Sequence, residues 1–339
     1  MKHYCGIDIS AKTTNVCIID DDRRVVKECV VPTDGQALRD CLSGFESLLC
    51  VVEAAPLAEW VCKEVEAGGH EVEILCPRHA KAVTATRKKT DKNDARNLAE
   101  VCRTDWYHRV HRKSDESRAM RSYVTGRKQM CDAAQGLASS IRGIFRAHGI
   151  RLVVPEGTEF SQIVIDRLSE LPPLVREAIR PMLKAWSDLN DSQKKLYRRL
   201  EKRAKKSPEC ELLMSIPGVG PLVAAVFLST LDTHERFSGA DKVGAYLGLV
   251  PSVYQSGQTE YYGRITKQGD RLLRWLLVEA ANVLLTRTKA DFALKSWGLR
   301  LAREKGSAKA RVAVARKLAC LLYRVWKTGE SFDAAKGVA

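Results

Sequence analysis

The chain holds eleven cysteines but no two stand in a C-x-x-C spacing, which removes the common zinc and thiol-redox frameworks. They are scattered from Cys5 to Cys320, mostly in apolar runs, where a free thiol behaves as a small hydrophobe. Reduced cysteines in a cytoplasmic protein are the expectation. No run of 18 uncharged apolar residues occurs, so no transmembrane helix and no membrane role are expected. Met1-Lys2-His3-Tyr4-Cys5 runs straight into strand-like sequence without the hydrophobic region of a signal peptide. Internal repeats and low-complexity tracts are also missing.

Acidic residues fall short of basic ones, and unevenly. The net charge is +15 over 339 residues. Residues 1–110 carry 16 Lys/Arg against 18 Asp/Glu, residues 111–206 carry 21 against 11, and residues 207–339 carry 19 against 12. The positive excess therefore lies outside the first third. A basic body of this kind suits a polyanion, most simply nucleic acid. With 45% hydrophobic residues the chain is globular, and its length allows two or three domains.

Residues 4–9, 14–20 and Val25–Val31 read as three strands joined by polar turns. Residues 34–45 read as helix, and Leu48–Glu53 as a continuously apolar strand buried on both faces. Leu57–Ala67 is helical and stops at Gly68-Gly69, Glu71–Leu75 is a further strand, and Pro77 opens helical sequence. Three strands, helix, strand, helix, strand, helix is the order of an α/β RNase H-like fold with crossover helices. From Ser114 the character changes. A first long helix runs to Gly149, and a second runs from Leu174 to Lys206, with Pro181 either kinking it or near its start. In the second, Val175, Met182, Leu189 and Leu196 recur every seven residues, flanked by Ile179, Trp186 and Leu200. Such a stripe predicts helix–helix pairing, either a coiled coil between copies or packing within one chain. The remainder is mainly α, with helices over Leu222–Ser229, Asp270–Leu285 and Ala308–Lys327 and a loop or short hairpin over Gly248–Lys267. The expected domains are 1–110, 111–206 and 207–330.

Four carboxylates carry the chemistry. Asp8 follows Tyr4-Cys5-Gly6-Ile7, and Glu53 follows Leu49-Cys50-Val51-Val52. An unpaired carboxylate in such a strand costs several kcal/mol, so each needs a cation, a metal or a strand end. Asp91 and Asp94, in Thr90-Asp91-Lys92-Asn93-Asp94-Ala95, stand at i and i+3 on one helix face. Hard oxygen ligands of this kind suit Mg²⁺, with Mn²⁺ able to stand in, and such an ion polarises phosphoryl oxygens. Any one of these acids alone reads as a helix cap or an ion pair; the set of four in this order does not.

Two further segments stand out. Ile216-Pro217-Gly218-Val219-Gly220-Pro221 before an apolar helix resembles the turn of a helix-hairpin-helix, in which Gly218 and Gly220 would let backbone N–H groups approach a phosphate; a plain turn between helices is the alternative. The other segment contains Tyr254-Gln255-Ser256-Gly257 and Tyr262-Gly263-Arg264-Ile265-Thr266-Lys267. No His–Asp partner stands at a familiar spacing from Ser256, so a hydrolase triad is not supported and the serine by itself reads as a turn residue. Arg264, Lys267, Arg271 and Arg274 could hold phosphate oxygens or be ordinary surface charge.

Together these blocks resemble one family across nearly the whole chain. Gly6-Ile7-Asp8, Glu53-Ala54 and Thr90-Asp91-Lys92-Asn93-Asp94-Ala95 are similar to the N-terminal DEDD domain of the insertion-sequence 110 transposases. Ile216-Pro217-Gly218-Val219-Gly220, Leu247-Gly248-Leu249-Val250-Pro251, Gln255-Ser256-Gly257 and Gly263-Arg264-Ile265-Thr266-Lys267-Gln268-Gly269 are similar to that family's C-terminal domain. The resemblance implies a RuvC-like N-terminal domain, a coiled-coil middle and a C-terminal transposase domain. It implies Mg²⁺ on Asp8, Glu53, Asp91 and Asp94, and Ser256 as the nucleophile that forms a covalent phosphoserine–DNA link. The implied partners are donor and target DNA, a structured noncoding bridge RNA that pairs with both, and further copies of the chain in a dimer or tetramer that supplies acids and serine from different subunits. Two other readings stand beside it: a RuvC-type structure-specific endonuclease using metal-activated water, and a nucleic-acid-binding protein with no chemistry. A sugar-kinase-like ATPase also opens on an aspartate-bearing strand, but Ile9-Ser10-Ala11-Lys12 offers no glycine for its phosphate turn.

Overall fold

The computed structural model describes residues 2–76, 91–257 and 259–334, with the Asp91 side chain excepted. The helical sequence expected from Pro77 lies outside the described residues. The chain packs as two units, Met1–Lys113 and Ser114–Ala339.

The first unit is a five-stranded sheet of β1 (His3–Ile9), β2 (Thr13–Asp20), β3 (Val25–Pro32), β4 (Leu49–Glu53) and β5 (Glu71–Leu75) in the order β3-β2-β1-β4-β5. β2 runs antiparallel to β1 and β3, whereas β1, β4 and β5 are parallel. This is the sheet of the RNase H-like fold that the element order predicts. Helices α1 (Gly35–Leu42) and α2 (Ala58–Ala67) make the crossovers, and α3 (Asp91–Thr104) follows the sheet. Alternation along each strand assigns the two faces. Cys5, Ile7, Val16, Ile18, Cys50 and Val52 are buried with Leu38, Leu42, Val61 and Val65 of α1 and α2. Cys17, Ile19, Val51 and Leu75 face the other way, against Ala95, Leu98, Ala99 and Val101 of α3. The middles of β1, β2 and β4 are apolar because both faces are covered there, whereas the edge strand β3 is exposed or half-buried. All eleven cysteines are free thiols, and burial pushes Cys17 up to about 11 and Cys62 up to about 12. Such thiols hold too little thiolate to act as nucleophiles.

The second unit is helical apart from one hairpin. Its long helices α4 (Asp115–Ala147) and α6 (Pro173–Ala204) flank the short α5 (Phe160–Arg167). α4 and α6 pair antiparallel within the chain. The Tyr123 hydroxyl donates to the Leu196 carbonyl and Arg127 donates to Gln193, while Ile141 and Phe145 share a core with Ile179 and Leu183. Of the heptad stripe, the flanking Ile179 and Leu200 are buried, whereas Val175, Met182, Leu189 and Leu196 are half-buried. Pro181 lies inside α6, two turns from its start. Helices α7 (Pro208–Met214), α8 (Pro221–Leu231), α9 (Ala240–Tyr246), α10 (Arg271–Thr286), α11 (Ala293–Lys305) and α12 (Ser307–Thr328) build the largest core, which also takes in Val124 and Leu200 from the long pair. The segment read as a loop or short hairpin is a hairpin of β6 (Pro251–Ser256) and β7 (Thr259–Ile265). No described helix is long and apolar enough to cross a membrane.

Candidate active site

Strand register brings two of the four acids side by side. β1 and β4 pair in parallel with Tyr4 opposite Leu49, Gly6 opposite Val51 and Ile7 opposite Val52. One residue further along both strands, the same register sets Asp8 beside Glu53 at the carboxyl edge of the sheet, where α/β folds place their ligands. By alternation Asp8 points to the same face as Gly6, and Glu53 to the same face as Val51. That is the face covered by α3.

α3 lies antiparallel to β1. Near the start of β1, the Cys102 thiol donates to the carbonyl of Leu49, the residue paired with Tyr4. At Gly6, a Cβ would lie 2.1 Å from the Ala95 carbonyl oxygen and 2.3 Å from the Ala99 nitrogen. Only a glycine lets the helix backbone come so close to the strand. Moving two residues along β1 therefore moves about one turn back along the helix. The first turn of α3, with Asp94 in it, lies over the end of β1 and β4 that carries Asp8 and Glu53. The backbone of Asp91 starts the same helix.

Asp8, Glu53 and Asp94 are all half-buried. The neighbouring acids of this unit are matched to cations. Glu28 of β3 takes Arg96 at 2.5 Å and Lys92 at 2.7 Å, which tie the first two turns of α3 to the sheet. Arg96 first, then Lys92, holds the Glu28 carboxyl below its usual range. Arg112 spans Glu59 and Glu66, and Arg109 takes Glu73 at 2.6 Å. Glu53 and Asp94 have no ion pair among the described residues. Nor do any three His, Cys, Asp or Glu side chains among the described residues gather as closely as the ligands of one ion. The fold thus brings three of the acids to one end and one face of the sheet, while the Asp91 side chain lies outside the described residues. By donor chemistry alone, carboxylate oxygens at a half-buried strand edge suit a hard divalent cation.

The second unit carries the other predicted residues. Ser256 is exposed at the end of β6 and pairs with Thr259 across a tight turn at Gly257, whose φ is +56°. The base of the hairpin is fixed by contacts between the two sequence blocks that flank it. Thr266 donates to Val250, Lys267 donates to Gly248, and a Cβ at Gly248 would fall 2.2 Å from the Gln268 carbonyl oxygen. Arg274 donates to the carbonyls of Leu247, Gln268 and Gly269, and burial lowers its affinity for its proton. It is committed to this turn, whereas Arg264, Lys267 and Arg271 are exposed. Gly218 and Gly220 sit in a turn between α7 and α8. Gly218 has φ +89°, and a Cβ there would lie 2.9 Å from the Ala280 carbonyl oxygen of α10. A protein contact therefore accounts for Gly218, and Gly220 forms the N-cap of α8.

Two family models match the chain in the order of these features. A transposase model of DEDD type covers residues 5–149, and a model described as the transposase IS116/IS110/IS902 family covers residues 210–295. The chain belongs to the IS110/IS116/IS902 family of transposases. Among relatives of this transposase, the transposase for insertion sequence element IS1111A of Coxiella burnetii is 27% identical over 78% of this chain and 73% of its own length. A putative transposase, y4pF/y4sB, of Sinorhizobium fredii is 29% identical over 80% and 70%, and a probable family 20 transposase of Pseudomonas aeruginosa is 25% identical over 81% and 82%. Among solved structures, T. thermophilus RuvC in complex with a Holliday junction substrate aligns with 32% of this chain and 100% of that chain, at 13% identity and a TM-score of 0.27. That likeness is too slight to add to the sheet order.

One residue of this transposase that sequence pattern does not single out is Asn15. It stands directly opposite Asp8 in the β1–β2 register and is buried. An amide so placed can orient a neighbouring carboxylate. Its signal is a polar residue leading into Val16-Cys17-Ile18-Ile19, masked by the polar Thr13-Thr14 before it. Gly6 has a clearer signal, because a glycine inside a strand marks close approach of another backbone.

Proposed function

We propose that this insertion-sequence transposase cleaves and rejoins DNA through a phosphoserine intermediate, with Asp8, Glu53, Asp91 and Asp94 as the acid site and Ser256 as the nucleophile. The observation that carries the acid half is the shared register of Asp8 and Glu53 beneath the first turn of α3. In this reading the four carboxylates hold Mg²⁺, which supplies charge neutralisation at the phosphate when bound. The Ser256 hydroxyl oxygen forms a bond to phosphorus as one P–O bond of the DNA strand breaks. The serine proton passes to solvent and the leaving oxygen takes one up, so a covalent link conserves the phosphoester for rejoining. Arg264, Lys267 and Arg271 are exposed near the hairpin and would counter phosphate charge. Gly218 and Gly220 remain candidates for backbone contact with a phosphate, although the Gly218–Ala280 contact weakens the case for Gly218.

The family resemblance extends the proposal to a bridge RNA and to a dimer or tetramer in which acids and serine come from different subunits. The basic segment 111–206 supports a polyanionic partner of that kind. Within the proposal, 1–110 is the acid domain, 111–206 the helical middle and 207–330 the serine domain.

The test is incubation of the full-length protein with supercoiled DNA bearing the element's ends, in Mg²⁺ and in EDTA, followed by a search for protein-linked DNA. The expected outcome is a Mg²⁺-dependent adduct absent in Ser256→Ala. Hydrolysed ends without any adduct would instead favour the RuvC-type endonuclease, a reading that fits the lack, among the described residues, of a hydrogen-bonded base at Ser256. Binding without cleavage in either buffer would leave only a nucleic-acid-binding protein.

A further inference from the structure

Beside the serine hairpin, α11 and α12 border a cleft of about 1360 Å³. It is larger than the roughly 300–1,000 Å³ that small ligands fill. Its floor is apolar, with Leu249, Phe292, Leu294 and Leu321. Its walls carry Arg264, Lys267, Arg300, Lys309, Arg316 and Lys317, against a single acid, Asp241. The first five of those cations form no ion pair among the described residues, and Asp241 is itself paired with Lys242 at 3.4 Å.

The charge is arranged, not scattered. On α12, Lys309, Arg316 and Lys317 line the cleft, while Ala310, Val314, Leu318 and Leu322 are buried in the core. Aromatic rings join them. Tyr261 and Tyr262 line the same cleft and are 63% and 60% exposed, and the Lys317 ammonium sits 4.3 Å from the centre of the Trp297 ring. Cations that track a backbone, together with open aromatic faces, are what unpaired nucleotides use. Bases stacked inside a duplex offer no face to a tyrosine.

We propose that this cleft holds an unpaired stretch of the DNA strand that carries the phosphate cleaved by Ser256. The identity of the strand rests on the recombinase reading; the existence of the site does not. Pro251 and Arg264, at the hairpin's base, border the cleft, and Ser256 ends the same strand β6. At about 3.4 Å per residue the serine lies about 17 Å from Pro251 along that strand, a span that a few nucleotides bridge. The occupant is therefore placed on DNA next to the reacting phosphate.

The experiment is fluorescence anisotropy with the full-length protein in EDTA, using a short single-stranded DNA, the same sequence as RNA, and the same sequence as duplex DNA. The single-stranded DNA is expected to bind about tenfold more tightly than the duplex and at least as tightly as the RNA. The double variant Arg300→Glu/Lys309→Glu, at two exposed positions, should weaken that binding at least tenfold. It should also lower the slope of log K against log salt by about 1.4, which is about 0.7 for each of two phosphates left without a cation. Tyr261→Ala should weaken binding about tenfold with the slope unchanged. Neither variant should shift the thermal unfolding midpoint. Equal or tighter binding of duplex, or wild-type binding by both variants, would overturn the site, and a preference for RNA would overturn the choice of DNA. Ser256→Ala, run alongside, should bind as wild type. If the wild type gives no covalent adduct yet these variants lose single-strand binding, the recombinase reading fails and the cleft stands.

Discussion

The carboxylate edge and the serine hairpin are built in opposite ways. Asp8 and Glu53 stand at the carboxyl ends of two central strands whose middles are buried on both faces, Asp8 one residue before the end of β1, and Asp94 is carried by a helix whose backbone touches β1 at Gly6. Their separations are set by sheet register and helix contact, before any partner binds. Ser256 ends the first strand of an exposed two-stranded hairpin, a unit that has little stability of its own, and among the described residues the hairpin is anchored at its base through Gly248, Thr266 and Arg274. The backbone positions of the acids are thus set by folding, whereas under the proposed function the position of Ser256 would be completed by what the hairpin grips. Under the proposed function, a metal site would gain from rigidity of the first kind, and a nucleophile reaching for a bound strand would tolerate the second.

The largest expected effect comes from breaking the rigid side at its chemistry. Asp8→Asn keeps the shape and removes the charge, and it should lower the rate of adduct formation about 10³-fold or more, with folding intact by circular dichroism. A rate within tenfold of wild type would remove the acid edge from the reaction. Next, Gly6→Ala attacks the scaffold. Its Cβ would meet backbone of α3, so the helix must shift, at a cost of about 3 kcal/mol that chemical denaturation of the first unit would read. Adduct formation should fall along with stability, which ties the helix approach to the acids.

The serine side should behave differently. Ser256→Ala should abolish the adduct while leaving the unfolding midpoint unchanged, because the side chain is exposed. The smallest effect is electrostatic. Glu28 is held below its usual range by Arg96, so its contribution to stability is fully present above the unfolded value of about 4.3 and is lost as pH falls through the lowered folded value. Glu28→Gln should lower Tm by about 2 °C at neutral pH and flatten the loss of stability below pH 4. A variant that is instead less stable than wild type only below pH 4 would contradict the sign.

Much of the acid half was legible from the residues. Apolar runs on the two parallel strands required cover on both faces, and a carboxylate at the end of such a run had to be at an edge. Element order then fixed the sheet. What could not be read was the third dimension. Nothing in Gly6-Ile7-Asp8 tells which helix covers Gly6, because that contact joins residues about ninety positions apart. The short helices α5, α7, α9 and α11 escaped because their apolar positions are completed by other helices and leave no full periodic pattern. The heptad stripe pointed to helix pairing but could not tell an internal partner from a second copy. The pairing of Gly248 with Gln268, and the alignment of α12's cations on the cleft, are packing outcomes with no local signature.

The central claim is that a serine outside the acid domain attacks the phosphate. The most direct measurement is mass spectrometry of the protein recovered from the Mg²⁺ reaction after nuclease and protease digestion. The account predicts a nucleotide remnant on the peptide containing Ser256, absent in Ser256→Ala and strongly reduced in Asp8→Asn. Cleaved DNA with an unmodified Ser256 peptide, or a remnant on another residue, would contradict it.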